Sequence, residues 1–370
     1  MRVTFVLPPV NMSGGIKVVA IYARALADKG HDVTLVSPPP RSLSLKRKLK
    51  AMLSGQRWTK DKKQPSHLDH LGLDHKILDR WRPVENADVP DADVVIATWW
   101  ETAEWVNALN ESKGTKVYFI QGHEVFDHLP VERCKATYSL PLYKIVIARW
   151  LADVMRDQYG DGEVDLVSNA VDHDQFDAEV RGKQSVPTVG FLFHRTPLKG
   201  VDVTLRAIER LRGDFPALRV ISFGTEMPDE DLMTNGRIEF HHLPPQEKLR
   251  ELYAQCDVWI TASRSEGFNL PAMEAMACRT PVVSTRTGWP EEAIETGKNG
   301  ILVEVDDVIG LARGAAWILG LSDEEWRRVS QSAYATVAES SWEASTNKFE
   351  QALEHACRKR RNLAQIIGRI

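Results

Sequence analysis

The sequence predicts an α/β protein built from two doubly wound, Rossmann-like domains. Short apolar runs alternate with segments whose apolar residues recur three and four apart, the pattern of parallel sheets covered by helices. The alternation occurs in two series, separated by a stretch rich in Asp and Gly at 170–187. The length of 370 residues accommodates two domains, and an apolar share of 43% supplies a core for each.

In the first series, residues 3–7 read as a strand. Residues 15–29 read as a helix, with Ile16, Val19, Ala20, Ala23, Leu26 and Ala27 at helical spacing and Gly30 as its stop. Further strands are expected at 31–37, 94–98, 116–121, 143–148 and 164–168, with a helix over 150–158. The stretch 170–187 is taken as the linker between domains. In the second series, strands are expected at 188–193, 218–223, 237–241, 257–262, 281–284 and 300–305. Helices are expected at 201–211, 246–255, 272–277 and 291–295, and the tail beyond Asp307 reads as helical throughout. Ligands of such sheets bind beyond the carboxyl ends of the strands. No internal repeat or low-complexity tract is found.

A net charge of −4 gives no general attraction to nucleic acid. The four cysteines, Cys134, Cys256, Cys278 and Cys357, are scattered, which suggests neither a disulfide framework nor a zinc site. The first residues hold too short an apolar run for a signal peptide, and no stretch approaches a membrane span. A cytoplasmic protein, soluble or peripheral, is the expectation. One segment stands apart: residues 41–63 carry Arg41, Lys46, Arg47, Lys48, Lys50, Arg57, Lys60, Lys62 and Lys63 against Asp61 alone. With Leu43, Leu45, Leu49, Met52 and Leu53 as an apolar side, this run suits an anionic membrane surface. A solvated basic loop explains it equally well.

The most informative stretch is 263–278. Glu266 and Glu274 bracket seven residues that include Gly267, Phe268, Asn269, Leu270 and Pro271. An apolar strand precedes it and a small-residue helix follows. Pro271 suits the first helical position, so the helix opens there and aims its positive end at whatever lies over the Gly267 loop. A ligand that is anionic in the middle and rich in hydroxyls at both ends, such as a nucleotide-sugar, fits a site of this kind.

Glu266 and Glu274 at this spacing, followed by Ala275-Met276-Ala277-Cys278-Arg279-Thr280-Pro281-Val282-Val283, resemble the signature of the retaining glycosyltransferases of family 4, which have the GT-B architecture. An isolated pair of glutamates would read as a loop carboxylate and a solvated helix residue. The intervening residues and the strand–loop–helix context make the match specific. The resemblance implies a nucleotide-sugar site in an interdomain cleft, an acceptor domain at 1–170 and a donor domain at 171–341. It also implies that a last helix, about 342–370, returns to the first domain near Trp342.

Other motifs join the resemblance. Asn11-Met12-Ser13-Gly14-Gly15 resembles the glycine-rich loop against the donor diphosphate, where Gly14 and Gly15 allow close backbone approach. Arg195 and Lys199-Gly200 resemble the family's phosphate clamp, a planar fork and a point charge. His123, in Gln121-Gly122-His123-Glu124, matches a histidine that contacts the transferring sugar, with Glu124 a weaker candidate. Ser168-Asn169-Ala170-Val171-Asp172 matches the link into the second domain. Trp289 is a candidate contact or a helix start, and Trp99 and Trp100 are candidates for stacking on an acceptor sugar or for packing. The site implied is thus Lys199, Arg195, Glu266 and His123 for the chemistry, with Gly14, Gly15, Gly267, Phe268, Asn269, Leu270 and Glu274 binding the donor.

Asp91 with Asp93, and Asp172 with Asp174, have the spacing of a metal pair but lie before a strand and in the linker, so no metal or other cofactor is expected. The implied reaction is transfer of a sugar, with retention, from a nucleoside-diphosphate sugar to a hydroxyl of a saccharide or lipid-linked acceptor, in envelope polysaccharide or glycolipid synthesis. A sugar-nucleotide epimerase of the same architecture and a non-catalytic nucleotide-sugar-binding protein are the alternatives.

Overall fold

The computed structural model describes residues 1–41, 65–229 and 238–367. The basic run at 41–63 lies outside the described residues apart from Arg41, which pairs with Glu101 at 2.6 Å. The chain divides into two compact units. One holds residues 1–147, 151–167 and 346–370, the other 148–150 and 168–345.

The first unit is built on a parallel sheet of seven strands in the order β3-β2-β1-β4-β5-β6-β7. These are β1 Arg2–Val6, β2 Asp32–Ser37, β3 Asp74–Ile77, β4 Val94–Ala97, β5 Thr115–Ile120, β6 Tyr143–Val146 and β7 Asp165–Leu166. Strands β1, β4 and β5 are buried along nearly their whole length, as strands covered on both faces must be. Helix α1, Gly14–Asp28, buries Ile16, Val19, Ala20, Ala23 and Leu26, the stripe its spacing predicts. Strand β3 and the helices α2 (Trp100–Ala108) and α3 (Val131–Tyr138) had no sequence expectation. Strand β3 reads Asp-His-Lys-Ile and sits at the sheet's edge, where an apolar signal is not required. Helix α4 covers Arg149–Tyr159.

The second unit holds a parallel sheet of six strands in the order β10-β9-β8-β11-β12-β13. Its strands are β8 Thr188–Leu192, β9 Arg219–Gly224, β10 Glu239–His242, β11 Val258–Thr261, β12 Val282–Thr285 and β13 Gly300–Val303. The helices are α5 His173–Phe176, α6 Val201–Asp214, α7 Gln246–Ala254, α8 Leu270–Ala277, α9 Trp289–Ala293, α10 Val308–Gly320 and α11 Asp323–Val337. Val203, Ala207, Ile208 and Leu211 of α6 and Leu311, Ala315, Ile318 and Leu319 of α10 share one core with the sheet.

One expectation needs correction. The stretch 170–187 is not a free linker. Phe176 is buried, Arg181 donates to the Cys256 carbonyl and Thr280 Oγ1, and Lys183 Nζ caps the carbonyls of Leu319 and Leu321. The Asp and Gly content marked it as loop, but Phe176, Arg181 and Lys183 tether it to this unit. The tail beyond Asp307 is helical as expected, in three helices separated by short breaks. Ser322 breaks it with a capping box, its backbone N–H donating to Glu325 at 2.9 Å while its hydroxyl accepts from the Glu325 N–H at 3.3 Å.

The last helix, α12, runs Trp342–Ile367. From residue 346 it belongs to the first unit, where Phe349 stacks on Tyr22 at 4.5 Å and meets Phe119 at 5.0 Å. Arg360 pairs with Glu111 at 2.6 Å and Lys359 with Glu163, so the basic run at its end is bound to the first unit's acids and not simply solvated.

Candidate functional site

Both sheets reverse strand order at one point, between β1 and β4 and between β8 and β11. Ligands of doubly wound sheets bind outside the carboxyl ends at such a reversal. In the second unit the loops leaving β8 and β11 there carry Lys199 and Glu266.

Lys199 Nζ donates to both carboxylate oxygens of Glu266, at 2.7 and 2.9 Å. Ser263 Oγ donates to the same carboxylate at 2.7 Å. The Glu266 side chain is 9% exposed and that of Lys199 28%, so the pair is sheltered with one open side. Gly200 makes this contact possible. Its φ is +59°, and a Cβ there would stand 1.9 Å from the Ala262 carbonyl oxygen, just past β11. No other residue lets the Lys199 loop press so closely on the strand end. Gly288 plays the same part from the other side, at φ +64° and with room for no Cβ against the Phe268 carbonyl oxygen, 2.8 Å away. Lys199, Thr261, Ser263, Glu266, Asn269 and Pro271 together line a small depression.

Asn269 has φ +81°, caps α8 by accepting from the Ala272 N–H at 3.3 Å, and donates to Thr261 Oγ1 at 2.9 Å. Pro271 has no N–H, and Ala272's is taken by this cap, so α8 offers the depression its dipole more than its donors. That narrows the expected set of backbone donors. Gly267 is half-buried at the turn, while Phe268 is buried and stacks on Trp289 at 5.7 Å. Trp289 is the first residue of α9, so the helix-start reading of it is the one observed. Leu270 is buried. Glu274 is buried too and accepts from Tyr253 Oη at 2.8 Å, unlike a solvated helix residue.

Arg195 is not gathered with Lys199. Its guanidinium donates to Asp229 Oδ1 and the Met227 carbonyl, both at 2.8 Å. His194 stands beside it, held by the Thr196 N–H at 3.0 Å. Burial lowers the His194 pKa, with Glu226 pulling it up and nearby Lys199 pushing it down.

In the first unit, α1 starts at Gly14, and Gly15 lies against the Gln121 side chain. The β1 loop and the β5 loop are therefore neighbours. His123, just past β5, is half-buried, with Nε2 2.8 Å from Tyr159 Oη. Burial and then Lys135 lower its pKa. Glu124 is buried, accepts from the Trp100 N–H at 2.9 Å, and has its pKa raised well above the carboxyl range by desolvation. Trp100 is buried, so of the two candidate stacking tryptophans it is a packing residue. Asp91 bonds Lys113, Asp93 bonds the Arg2 N–H and Asp172 caps α5.

Sequence reasoning missed Ser263, Tyr253, Tyr138, Tyr159 and Gly288 as parts of these clusters. Ser263 stands three residues before Glu266, a spacing that one loop turn brings together. The others are distant in sequence and carried no motif.

Residues 183–320 match the family described as Glycosyl transferases group 1. Over these residues the resemblance to the glycosyltransferases holds. The chain is 32% identical over 180 residues to the D-inositol 3-phosphate glycosyltransferase of Corynebacterium jeikeium, covering 45% of this chain and 43% of that one. It is 33% identical over 202 residues to the Mycolicibacterium smegmatis protein of the same name, covering 48% and 44%. The chain thus spans less than half the length of these curated relatives. Among solved structures it resembles Anabaena HepE in complex with UDP and glucose, with a TM-score of 0.71 and 14% identity over 96% of this chain and 99% of that one. It also resembles sucrose-phosphate synthase from Thermosynechococcus elongatus, with a TM-score of 0.72 and 16% identity over 96% and 98%. The two parallel-sheet units are those of the GT-B fold.

Proposed function

We propose that this chain is a retaining glycosyltransferase that moves a sugar from a nucleoside-diphosphate sugar to a hydroxyl of a saccharide or lipid-linked acceptor. The observation that carries the reading is the Lys199–Glu266–Ser263 cluster at the strand-order reversal of the second sheet, inside the segment that matches group 1 glycosyltransferases. A nucleoside diphosphate leaving an anomeric carbon develops negative charge on phosphate oxygen, and a fixed cation there stabilises that charge. In this reading Lys199 turns from Glu266 towards the diphosphate, and Glu266, released, accepts from hydroxyls of the donor sugar. Glu274, steadied by Tyr253, accepts from the ribose. Gly14 and Gly15 let the backbone approach the donor, and His123 meets the sugar. Arg195 joins the clamp only by leaving Asp229. Neither a metal nor an enzymic nucleophile is assigned, and the leaving phosphate takes the acceptor's proton.

The family match supports transfer over epimerisation or binding alone. It lies in the second unit, so it speaks for the donor side. An acceptor at the inner membrane face, in envelope polysaccharide or glycolipid synthesis, rests on the basic run at 41–63 and is the wider part of the proposal. The test is incubation of the chain with UDP-, GDP-, ADP- and dTDP-sugars, no metal added, and pools of saccharide and lipid-linked acceptors. Release of one nucleoside diphosphate with an unchanged anomeric configuration in the product is expected. Epimerised donor without transfer, an inverted product, or no release with any pairing would contradict it.

A further inference from the structure

We propose that Tyr159 is a positioning residue whose phenol O–H donates to Nε2 of His123 and fixes the imidazole as the Nδ1–H tautomer. His123 then meets a ligand as a hydrogen-bond donor at Nδ1. The proposal rests on the function above only for the identity of that ligand, a sugar hydroxyl or a phosphate oxygen.

The backbone around His123 is pinned first. Tyr138 Oη donates to the Gly122 carbonyl at 3.1 Å and accepts from the Glu124 N–H at 2.7 Å. The His123 ring is left with its side-chain torsions, and two tyrosines enclose it. Its centroid is 5.3 Å from that of Tyr138 and 5.8 Å from that of Tyr159, the latter edge-on with 70° between planes. That edge brings Tyr159 Oη to 2.8 Å from Nε2.

Either atom of this contact is a formal donor, and acidity decides between them. A phenol has a pKa of about 10 and the imidazole nitrogen is basic with a conjugate acid near 6.5, so O–H···N is the better matched direction. Burial and Lys135, which comes from α3, both disfavour the imidazolium. A neutral ring carries a single N–H. With Nε2 accepting, that N–H is on Nδ1. A ring held this way has no free lone pair for a proton, so His123 does not act as a general base. It offers a preset donor to oxygen that gains negative charge.

The tautomer can be read directly by nitrogen-15 NMR of histidine-labelled, full-length protein at pH 8, with the His123 signals assigned from a His123→Gln variant. The expected result is a protonated Nδ1 and a pyridine-like Nε2 in the ligand-free chain. In Tyr159→Phe the Nδ1–H preference is lost, and the Nε2–H tautomer becomes populated. A protonated Nε2 in the unsubstituted chain overturns the proposal, and so does a tautomer that Tyr159→Phe leaves unmoved. The first reading is made on the unsubstituted chain, so it stands even if Tyr159→Phe misfolds. All readings are made without ligand, so an absence of sugar transfer would count against the proposed function and leave this result as it is.

Discussion

At Gly200 a single hydrogen in place of a side chain decides whether the Lys199 loop can meet β11. Gly200→Ala would place a methyl 1.9 Å from the Ala262 carbonyl oxygen at a φ of +59°. The loop must move, at a cost of roughly 2 kcal/mol or more from strain and lost contact. A lowered urea midpoint together with weakened donor binding is expected, and a variant as stable as its parent would refute the packing argument. Glu124 makes a second residue-scale case. Desolvation raises its pKa, so the folded chain keeps a proton that the unfolded chain releases above about pH 4.3. Its contribution to stability therefore declines as pH rises from that value towards the folded pKa. Glu124→Gln cannot ionise and should gain on its parent between pH 5 and pH 8 in urea titrations. A constant difference across that range would show that Glu124 is ionised when folded.

Among the elements, those that bury both faces or one regular stripe were legible in the sequence. Strands β1, β4, β5 and β11 and helices α1 and α6 carry apolar residues at the period that burial requires, and each is found within a residue or two of its expected bounds at most ends. The unread elements lack that signal. Strand β3 is a polar edge, and α3 buries only Cys134, Thr137 and Tyr138. The last helix shows what an element can contribute across a long sequence separation. Phe349 is wholly buried against Phe5, Tyr22 and Phe119, and its ring is the largest apolar group that α12 inserts there. Phe349→Ala should cost about 3–5 kcal/mol, from lost burial and the cavity left behind. Thermal unfolding of the full chain measures it, and a loss under about 1 kcal/mol would mean that α12 is not integral to the first unit.

For the molecule as a whole, two parallel sheets follow from the double alternation in the sequence, and the strand-order reversals that the structure adds mark where ligand loops are expected. The motif of the second unit was legible because Lys199-Gly200 and Glu266 through Glu274 are compact and stand at strand ends. What the motif did not disclose was pairing: that Lys199 holds Glu266, that Arg195 is engaged by Asp229, and that Asn269 occupies an N–H of α8. Those are tertiary choices between chemically equivalent partners, which no local pattern encodes. The central claim is that the Lys199–Glu266 cluster receives a nucleoside-diphosphate sugar. Its most direct test is thermal unfolding of the chain and of Lys199→Ala against UDP-, GDP-, ADP- and dTDP-sugars, because a ligand bound only by the native state must raise its stability. The account predicts a saturable rise with one nucleotide class, weakened by roughly ten- to a hundredfold in apparent affinity in Lys199→Ala, the worth of a hydrogen bond to a charged group. No rise with any of the four, or a rise that Lys199→Ala leaves unchanged, would contradict it.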